Sequence, residues 1–268
     1  MNEAELLFSE TLNCSRMDLY ANKNSRLNKR ESLFLSRVLK RRIQGEPIQY
    51  ILGKAEFMGL EFKVTPDVLI PRPETEILVE AVIKYAAASR RQADDFKILD
   101  VATGSGCIAV SLAKLIPGAK ITATDISKSA LSVAKHNSRL NDVSGRIEFI
   151  QSDLFTGGQA RPVRYDIIVS NPPYIPAKEI DTLQMEVRNE PRLALDGGGD
   201  GLDFYRRIID GSGGRIKESG VLIMEMGFKQ KRKIKNIFQK YENFEIIEVI
   251  KDYNNIDRVI IAREKWIN

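Results

Sequence analysis

The chain has 268 residues, of which 43% are hydrophobic and 29% charged, a balance typical of a globular rather than a disordered protein. This length is sufficient for one domain of ordinary size and a smaller companion. With two cysteines and one histidine, a disulfide framework, a zinc site and a Ser-His-Asp triad are disfavoured. The net charge of +5 is a mild indication of an anionic partner, such as RNA or a ribosome-associated protein, and does not decide between them.

Neither a membrane segment nor a signal peptide is predicted. No apolar stretch reaches the ~18 residues that a membrane-spanning helix needs. Residues 1–10 carry Glu3, Glu5 and Glu10 and lack the basic and then apolar pattern of a signal peptide. We therefore expect a cytoplasmic protein.

Residues 1–50 are predicted to form short helices, because apolar residues recur at helical spacing around Leu6 and again around Leu33. The stretch between residues 16 and 42 carries nine basic residues against two acidic ones. The basic residues are Arg16, Lys23, Arg26, Lys29, Arg30, Arg37, Lys40, Arg41 and Arg42. Two interpretations stay open: a solvated helix face, which we favour, or a surface that docks an anionic partner.

Residues 51–75 are predicted to form a β-hairpin followed by a linker. Apolar residues recur in an extended pattern on both sides of Gly59, which is typical of two short strands joined by a turn. The closely spaced Pro71 and Pro73 are expected to prevent a helix from beginning before Glu74.

After this linker, strands and helices alternate. Strands are predicted over 98–102, 120–124, 146–151, 166–170 and 221–226, and helices over 107–115, 127–140, 203–217 and 229–240. Such alternation implies an α/β fold with a mainly parallel sheet and helices on both faces. The last two predicted strands, 244–250 and 258–262, have no helix between them and are expected to form an antiparallel hairpin at an edge of the sheet.

The first strand of this region leads into a glycine-containing turn, Asp100-Val101-Ala102-Thr103-Gly104-Ser105-Gly106. Glycines at a strand-to-helix turn let the backbone approach a ligand and direct amide N–H groups at it. The spacing Gly104-x-Gly106-x-x-Ala109 also satisfies the dinucleotide fingerprint, so an NAD-dependent oxidoreductase stays open on this signal alone.

Of three carboxylates near strand ends, Asp100 and Asp153 favour S-adenosylmethionine over a dinucleotide, whereas Asp125 suits the ribose of either. Asp125 ends the second strand, where it could accept hydrogen bonds from both hydroxyls of a ribose. Asp100 precedes the turn, where it would repel a pyrophosphate but could hold the ammonium group of S-adenosylmethionine. Asp153 and Leu154 follow the third strand and offer a carboxylate and an apolar wall to an adenine.

The tetrapeptide Asn171-Pro172-Pro173-Tyr174 directly follows the apolar fourth strand, at the edge where open α/β sheets bind ligands. A planar –NH2 group is a weak nucleophile, because its lone pair is delocalised. The Asn171 side-chain oxygen and the Pro172 carbonyl can each accept one of its hydrogens, and these bonds strengthen as charge develops on the nitrogen. The prolines stiffen the loop, and Tyr174 can pack its ring over the planar group. The tetrapeptide therefore predicts methyl transfer to an amide or amino nitrogen without an obligatory general base.

These motifs resemble the release-factor glutamine methyltransferases, the PrmC/HemK family, over nearly the whole chain. Gly45-Glu46-Pro47-Ile48-Gln49-Tyr50 is similar to the pre-linker signature of that family, and Ile70-Pro71-Arg72-Pro73-Glu74-Thr75-Glu76 to its linker motif. Further matches lie at 190–202, 252–253 and 258–259. DNA adenine methyltransferases share the tetrapeptide, so the specific part of the resemblance is the linker motif together with the 190–202 block.

The resemblance implies a fold, a substrate and a partner. The fold would be a Rossmann-like class I S-adenosylmethionine-dependent methyltransferase sheet over 76–268, with a small N-terminal helical domain over 1–50 and a β-hairpin linker over 51–75. The substrate would be the glutamine in the Gly-Gly-Gln loop of peptide-chain release factors, methylated on its side-chain amide nitrogen, with S-adenosylhomocysteine as the second product. We expect a monomer whose N-terminal domain grips the release factor, with no metal and no stable binding to nucleic acid or membrane.

The implied site divides into two groups of residues. The substrate would be held by Asn171, Pro172, Pro173, Tyr174, Arg72 and Glu74, the tetrapeptide being catalytic. The cofactor would be held by Asp100, Ala102, Thr103, Gly104, Ser105, Gly106, Asp125, Asp153, Leu154 and Asn171. Two departures from the family pattern are visible: Ala102 stands where glycine is usual, and the N-terminal domain is about one helix shorter than expected.

Three alternatives remain from the residues alone. An adenine-N6 methyltransferase acting on DNA or RNA would use the same tetrapeptide, but only some 75 residues precede the catalytic region to hold a nucleic acid. A silent cofactor-binding or RNA-binding module is disfavoured by the intact tetrapeptide, as is the oxidoreductase.

The segment Gly197–Gly201 could be a flexible surface loop or a lid over the substrate site.

Overall fold

The computed structural model describes residues 3–21, 26–89, 96–156, 163–241 and 243–265. The N-terminal part consists of four helices: α1 (Glu3–Leu12), α2 (Arg16–Ala21), α3 (Lys29–Ile43) and α4 (Ile48–Leu52). Asn28 and Glu31 form a capping box that satisfies backbone donors at the start of α3. A small core of Leu7, Leu35, Val38 and Ile48 holds these helices together. The prediction of short helices in this region is confirmed, and the boundaries at residues 50 and 75 stay a prediction.

The expected hairpin is present as β1 (Lys54–Phe57) and β2 (Leu60–Lys63), which pair antiparallel. Met58 and Gly59 form its turn, and both have positive φ, as a tight turn that matches the strand twist requires. The side chain of Asn137 bonds both the N–H and the carbonyl of Lys63, which attaches the hairpin to the following domain.

Helix α5 (Pro73–Ala88) begins at Pro73, one residue before the expected limit. A proline is tolerated there because the first N–H groups of a helix have no intrahelical partner. Thr75, in the first turn of α5, is buried, with 2% of its surface exposed.

The remaining elements form one seven-stranded sheet with helices. The strands are β3 (Lys97–Val101), β4 (Lys120–Asp125), β5 (Ile147–Gln151), β6 (Tyr165–Ser170), β7 (Ile216–Glu225), β8 (Phe244–Lys251) and β9 (Asp257–Glu264). The helices are α6 (Cys107–Leu115), α7 (Lys128–Leu140), α8 (Met185–Arg188), α9 (Arg192–Leu195), α10 (Asp203–Ser212) and α11 (Lys231–Lys240). Among the described residues, no helix is long and apolar enough to cross a membrane.

The strand order is β5-β4-β3-β6-β7-β9-β8. Pairing is parallel from β5 to β7, whereas β9 runs antiparallel to both β7 and β8. The expected C-terminal hairpin is confirmed, and β8 is the edge strand because β9 inserts beside β7. From β3 to β5 each new strand is added on one side of the sheet, whereas β6 is added on the other side of β3. Ligands bind at such a switch point in open α/β sheets.

The prediction of a helix over 203–217 was wrong at its C-terminal end. Helix α10 ends at Ser212, and β7 begins at Ile216. Gly213 and Gly214 interrupt the helix, Gly214 with a φ of +71°. Ile216 is fully buried and pairs with Tyr165 of β6. Because of this pairing, β7 begins at Ile216, within the range predicted as helix.

Candidate active site

A cavity of about 390 Å³ lies at the carboxyl ends of β3, β4 and β6, at the switch point of the sheet. This volume is within the range of small-molecule sites. The predicted site residues that line it are Arg72, Ala102, Thr103, Gly104, Ser105, Asp125, Asp153, Leu154, Asn171 and Pro173. Five others do not: Glu74, Asp100, Gly106, Pro172 and Tyr174.

The glycine turn after β3 is held by the neighbouring strand and helix. The Gly104 N–H donates to Asp125 Oδ2 at 2.8 Å, and the Thr103 N–H donates to the Thr124 carbonyl at 2.9 Å. Asn137 donates to the Ser105 carbonyl at 2.9 Å. A Cβ added at Gly104 would meet no atom within 4 Å, so this glycine leaves the approach to the turn open.

Gly106 does not line the cavity, and its conformation serves packing. Its φ is +79°, and an added Cβ would lie 2.9 Å from the Cβ of Ala134 and 3.1 Å from its Cα. Only glycine lets the start of α6 approach α7 so closely. Ala102, in contrast, lines the cavity with a φ of +60°, a left-handed conformation that costs a non-glycine residue about 1–2 kcal/mol.

Asp100 lies behind the cavity wall, so a direct contact with a cofactor ammonium group does not follow from its position. Its side chain is fully buried, and its Oδ2 accepts a hydrogen bond from Thr103 Oγ1 at 2.5 Å. Its Oδ1 has no hydrogen-bond partner among the described residues. Burial raises the pKa of this carboxyl to about 7. Asp100 therefore contacts a cavity-lining residue, Thr103, but does not line the cavity itself.

Asp125 lines the cavity, and both of its oxygens already bind backbone. Oδ2 accepts from Gly104 N–H, and Oδ1 accepts from Ser127 N–H at 2.9 Å. Burial raises its pKa. Because a carboxylate oxygen has two lone pairs, each can also accept a hydrogen bond from a ligand hydroxyl.

We expect Asp125→Ala to weaken S-adenosylhomocysteine binding by about 10- to 100-fold, because it removes charged acceptors and the anchor of Gly104 together. Isothermal titration calorimetry measures this affinity directly. Asp181→Ala is the matched control, since Asp181 is exposed and outside the cavity. An Asp125→Ala variant that binds like this control would remove Asp125 from the site.

Asp153 meets a cation that sequence reasoning missed. Its Oδ1 lies 2.7 Å from Arg207 Nη2, and the Arg207 guanidinium lies 5.7 Å from the centre of the Phe204 ring. Arg207 and Phe204 also line the cavity. Asp153 and Leu154 line the cavity, as expected for residues that would contact an adenine. The Asp153 carboxylate, however, already forms an ion pair with Arg207.

Asn171 lies at the end of β6, beside the end of β3. The Ser170 hydroxyl donates to the Val101 carbonyl at 2.7 Å, which fixes the two strand ends together. Asn171 Nδ2 donates to Thr75 Oγ1 at 3.0 Å, and Thr75 Oγ1 donates to Glu225 Oε2 at 2.7 Å. No described residue donates a hydrogen bond to Asn171 Oδ1 or to the Pro172 carbonyl. Both oxygens that were expected to hold a –NH2 group are thus without a donor among the described residues, and of the two residues Asn171 lines the cavity whereas Pro172 is buried beside it.

Tyr174 packs beside the cavity rather than lining it, so stacking over a target group is not evident from its position. Its hydroxyl donates to Glu225 Oε1 at 3.4 Å, and burial raises the pKa of that hydroxyl. Gln230 Nε2 donates to the Tyr174 carbonyl at 2.8 Å and to the Gly201 carbonyl at 3.2 Å. The backbone of the tetrapeptide is therefore held from behind.

The 190–202 block supports the tetrapeptide through backbone hydrogen bonds and close packing, and whether its segment Gly197–Gly201 also acts as a lid stays a prediction. The Ile175 N–H donates to the Leu195 carbonyl at 3.0 Å, and the Gly197 N–H donates to the Ile175 carbonyl at 2.8 Å. An added Cβ at Gly197 would lie 2.7 Å from Tyr174 Cα. The same block contributes Pro191, Leu193 and Ala194 to the cavity wall.

Arg72 lines the cavity and is paired with Glu190 of the same block. The Glu190 carboxylate also accepts the Ile70 N–H at 3.0 Å, so it binds the linker at two points. Glu74 lies outside the cavity, and its neighbour Thr75 lines it instead. The expected substrate-binding role of Glu74 stays a prediction.

Sequence reasoning missed Thr75, Glu225, Gln230, Phe204 and Arg207. Two of them had a visible signal: Thr75 lies inside the linker motif, and Glu225 is a carboxylate within the apolar run Val221–Met226. Gln230, Phe204 and Arg207 carry no motif, and only the packing of the fold brings them to the site.

Comparison with known proteins agrees with this arrangement. Residues 75–202 match the methyltransferase small domain, and residues 1–53 match the PrmC N-terminal domain. The crystal structure of the hMettl16 catalytic domain in complex with a MAT2A 3′UTR hairpin superposes with a TM-score of 0.61, at 18% identity and with 84% of each chain covered. The fold is that of a Rossmann-like class I S-adenosylmethionine-dependent methyltransferase.

Two curated relatives identify the family. The release factor glutamine methyltransferase of Moorella thermoacetica is 40% identical over 97% of this chain and 90% of its own length. That of Chlorobaculum tepidum is 42% identical over 95% of this chain and 87% of its own length. The chain belongs to the family of release factor glutamine methyltransferases.

Proposed function

We propose that this protein transfers a methyl group from S-adenosylmethionine to the side-chain amide nitrogen of the glutamine in the Gly-Gly-Gln loop of peptide-chain release factors. The observation that carries the proposal is the arrangement at Asn171. Its Nδ2 is bound to Thr75, whereas its Oδ1 and the Pro172 carbonyl accept no hydrogen bond from a described residue. One acceptor from each of these adjacent residues matches the two hydrogens of a –NH2 group, and the family relationship supports glutamine as its bearer.

The cavity fits the cofactor of the class. Gly104 leaves the turn open, the nearby start of α6 directs N–H groups toward it, and Asp125 offers acceptors for hydroxyls. Asp153 and Leu154 line the same cavity. We assign to cofactor binding the cavity residues Ala102, Thr103, Gly104, Ser105, Asp125, Asp153 and Leu154. When bound, S-adenosylmethionine supplies a strongly electrophilic methyl group.

The protein's own contribution is mainly positioning. Asn171 Oδ1 and the Pro172 carbonyl would hold both hydrogens of the amide and direct its nitrogen, and such orientation can lower a barrier by about 7–11 kcal/mol. Positive charge develops on the nitrogen during attack, so both hydrogen bonds are stronger in the transition state than in the ground state. The proton can leave after transfer, and no base has to act first.

The N-terminal helices offer a surface for the release factor. Lys29, Arg30 and Arg37 surround Leu33 and Phe34 in a shallow concavity on α3. Leu33 is 51% exposed and Phe34 43% exposed. Arg and aromatic side chains such as Phe34 are among those enriched in protein–protein interfaces. We therefore assign docking to this surface, which reverses our preference from sequence.

One labelling experiment tests the proposal. The protein is incubated with methyl-labelled S-adenosylmethionine and either a release factor or duplex DNA, and the label is located by mass spectrometry. We expect label on the glutamine of the Gly-Gly-Gln loop and none on DNA. A release factor with Gln replaced by Asn in that loop is the matched negative substrate. Label on adenine with none on glutamine would overturn the assignment in favour of the adenine-N6 alternative.

A further inference from the structure

Thr75 and Glu225 form a buried polar chain behind the catalytic asparagine. Thr75 is 2% exposed and Glu225 is 1% exposed. Thr75 comes from the first turn of α5, Glu225 from the carboxyl end of β7, and Asn171 from the end of β6. Three separate elements therefore meet at two hydrogen bonds, of 3.0 Å from Asn171 Nδ2 to Thr75 Oγ1 and 2.7 Å from Thr75 Oγ1 to Glu225 Oε2.

The direction of these hydrogen bonds follows from the groups themselves. An ionised carboxylate only accepts, so the single hydroxyl proton of Thr75 points at Glu225. Thr75 Oγ1 then presents a lone pair to Asn171, and only the –NH2 end of the amide can bind it. The oxygen end of the Asn171 side chain is consequently the end left for the substrate.

We propose that Thr75 and ionised Glu225 are positioning residues that set the rotation of the Asn171 amide, so that its oxygen and not its –NH2 group faces the substrate nitrogen. The opposite rotation would place a donor against the donor hydrogens of the substrate. The inference rests on the proposed function only in requiring that the methyl group is transferred to a –NH2 group. Glutamine and adenine both carry such a group.

The charge on Glu225 depends on its surroundings. The neighbouring titratable and charged groups are Glu74, Cys107, Tyr174, Tyr205 and Arg258. Burial raises the pKa of Glu225 to about 7, while the hydrogen bond from Thr75 and the Arg258 guanidinium favour the ionised form. Arg258 is itself held by Asp252 at 2.9 Å.

A proton on Glu225 would weaken the control of Asn171. Protonated Glu225 can donate to Thr75 Oγ1, which frees the Thr75 proton to bind the oxygen end of a rotated Asn171. The productive rotation is thus favoured above the pKa of Glu225 and is lost as the pH falls through it. The kcat of the wild type should fall on the acid side accordingly.

Thr75 variants test the hydroxyl. Thr75→Val keeps the shape of the side chain and removes the hydroxyl, and we expect kcat to fall about 10- to 100-fold with little change in KM or cofactor affinity. Thr75→Ser restores the hydroxyl and should restore most of kcat. Ser212→Ala removes an equally buried hydroxyl far from the cavity and is the control for stability. Wild-type kcat in Thr75→Val would overturn the inference.

The pH profile of Glu225→Gln provides a second readout that a loss of stability would not produce. Glutamine has a similar shape and does not titrate, so kcat should be lower at neutral pH and the acid limb should disappear. An unchanged acid limb in a folded Glu225→Gln variant would also overturn the inference. All variants are assayed on whichever acceptor carries the label in the wild-type reaction. Label on adenine would thus refute the proposed function without deciding the role of Thr75.

Discussion

Asn171→Ala is expected to lower kcat by about 100- to 1000-fold. This is the usual loss when an enzyme loses one hydrogen-bonding group that stabilises charge developing in the transition state. The variant loses Oδ1, one of the two oxygens available to orient the substrate –NH2 group. The turn at 102–106 and Asp125 remain, so S-adenosylhomocysteine affinity should stay near the wild-type value. Single-turnover methyl transfer and calorimetric titration measure the two quantities separately.

The matched control for this variant is Asn236→Ala. Asn236 is an exposed residue of α11 and lies outside the cavity. It should leave both kcat and cofactor affinity unchanged. If Asn171→Ala turned over like Asn236→Ala, Asn171 would have no catalytic role, and the assignment of the tetrapeptide would fail with it.

Gly197→Ala is expected to have the second largest effect, although Gly197 need not touch a ligand. The new Cβ would lie 2.7 Å from Tyr174 Cα and 2.9 Å from the Pro173 carbonyl oxygen, so backbone has to move. Overpacking of this kind costs about 1–3 kcal/mol of stability. A displacement of about 1 Å at the tetrapeptide can also lower turnover by about 100-fold.

Gly199→Ala provides a control two residues away. An added Cβ at Gly199 would meet nothing within 4 Å, and Gly199 is exposed. Thermal unfolding and kcat should therefore separate the two variants clearly. Equal melting temperatures and equal turnover would show that the 190–202 block does not support the tetrapeptide.

Sequence reasoning recovered the features that are encoded locally. Alternation of apolar residues predicted β3 to β6 and the helices between them to within one or two residues. The end of α10 was missed because burial of Ile216 against the neighbouring strand, rather than helix propensity, decides where β7 begins. The same limit applies to β9, whose insertion between β7 and β8 depends on pairing between distant segments.

The candidate site shows the same division. The place of the tetrapeptide and of Asp125 at the sheet edge could be predicted from sequence, because a polar residue at a strand end already defines a position there, whereas their roles stay predictions. Asp100, within β3, and Gly106, just before α6, belong to the same turn region, yet Asp100 is fully buried behind Thr103 and Gly106 packs against Ala134. Which residues of a short turn face the cavity depends on the packing behind it.

The sequence by itself determined the chemistry of the tetrapeptide: two acceptor oxygens at the end of an apolar strand, suited to a planar –NH2 group. Only the tertiary structure decided which end of the Asn171 amide faces the substrate. That choice depends on Thr75 and Glu225, which are 96 and 54 positions away in the chain. Hydrogen bonds between such distant residues leave no periodic pattern in the sequence, since they form only when α5, β6 and β7 pack together.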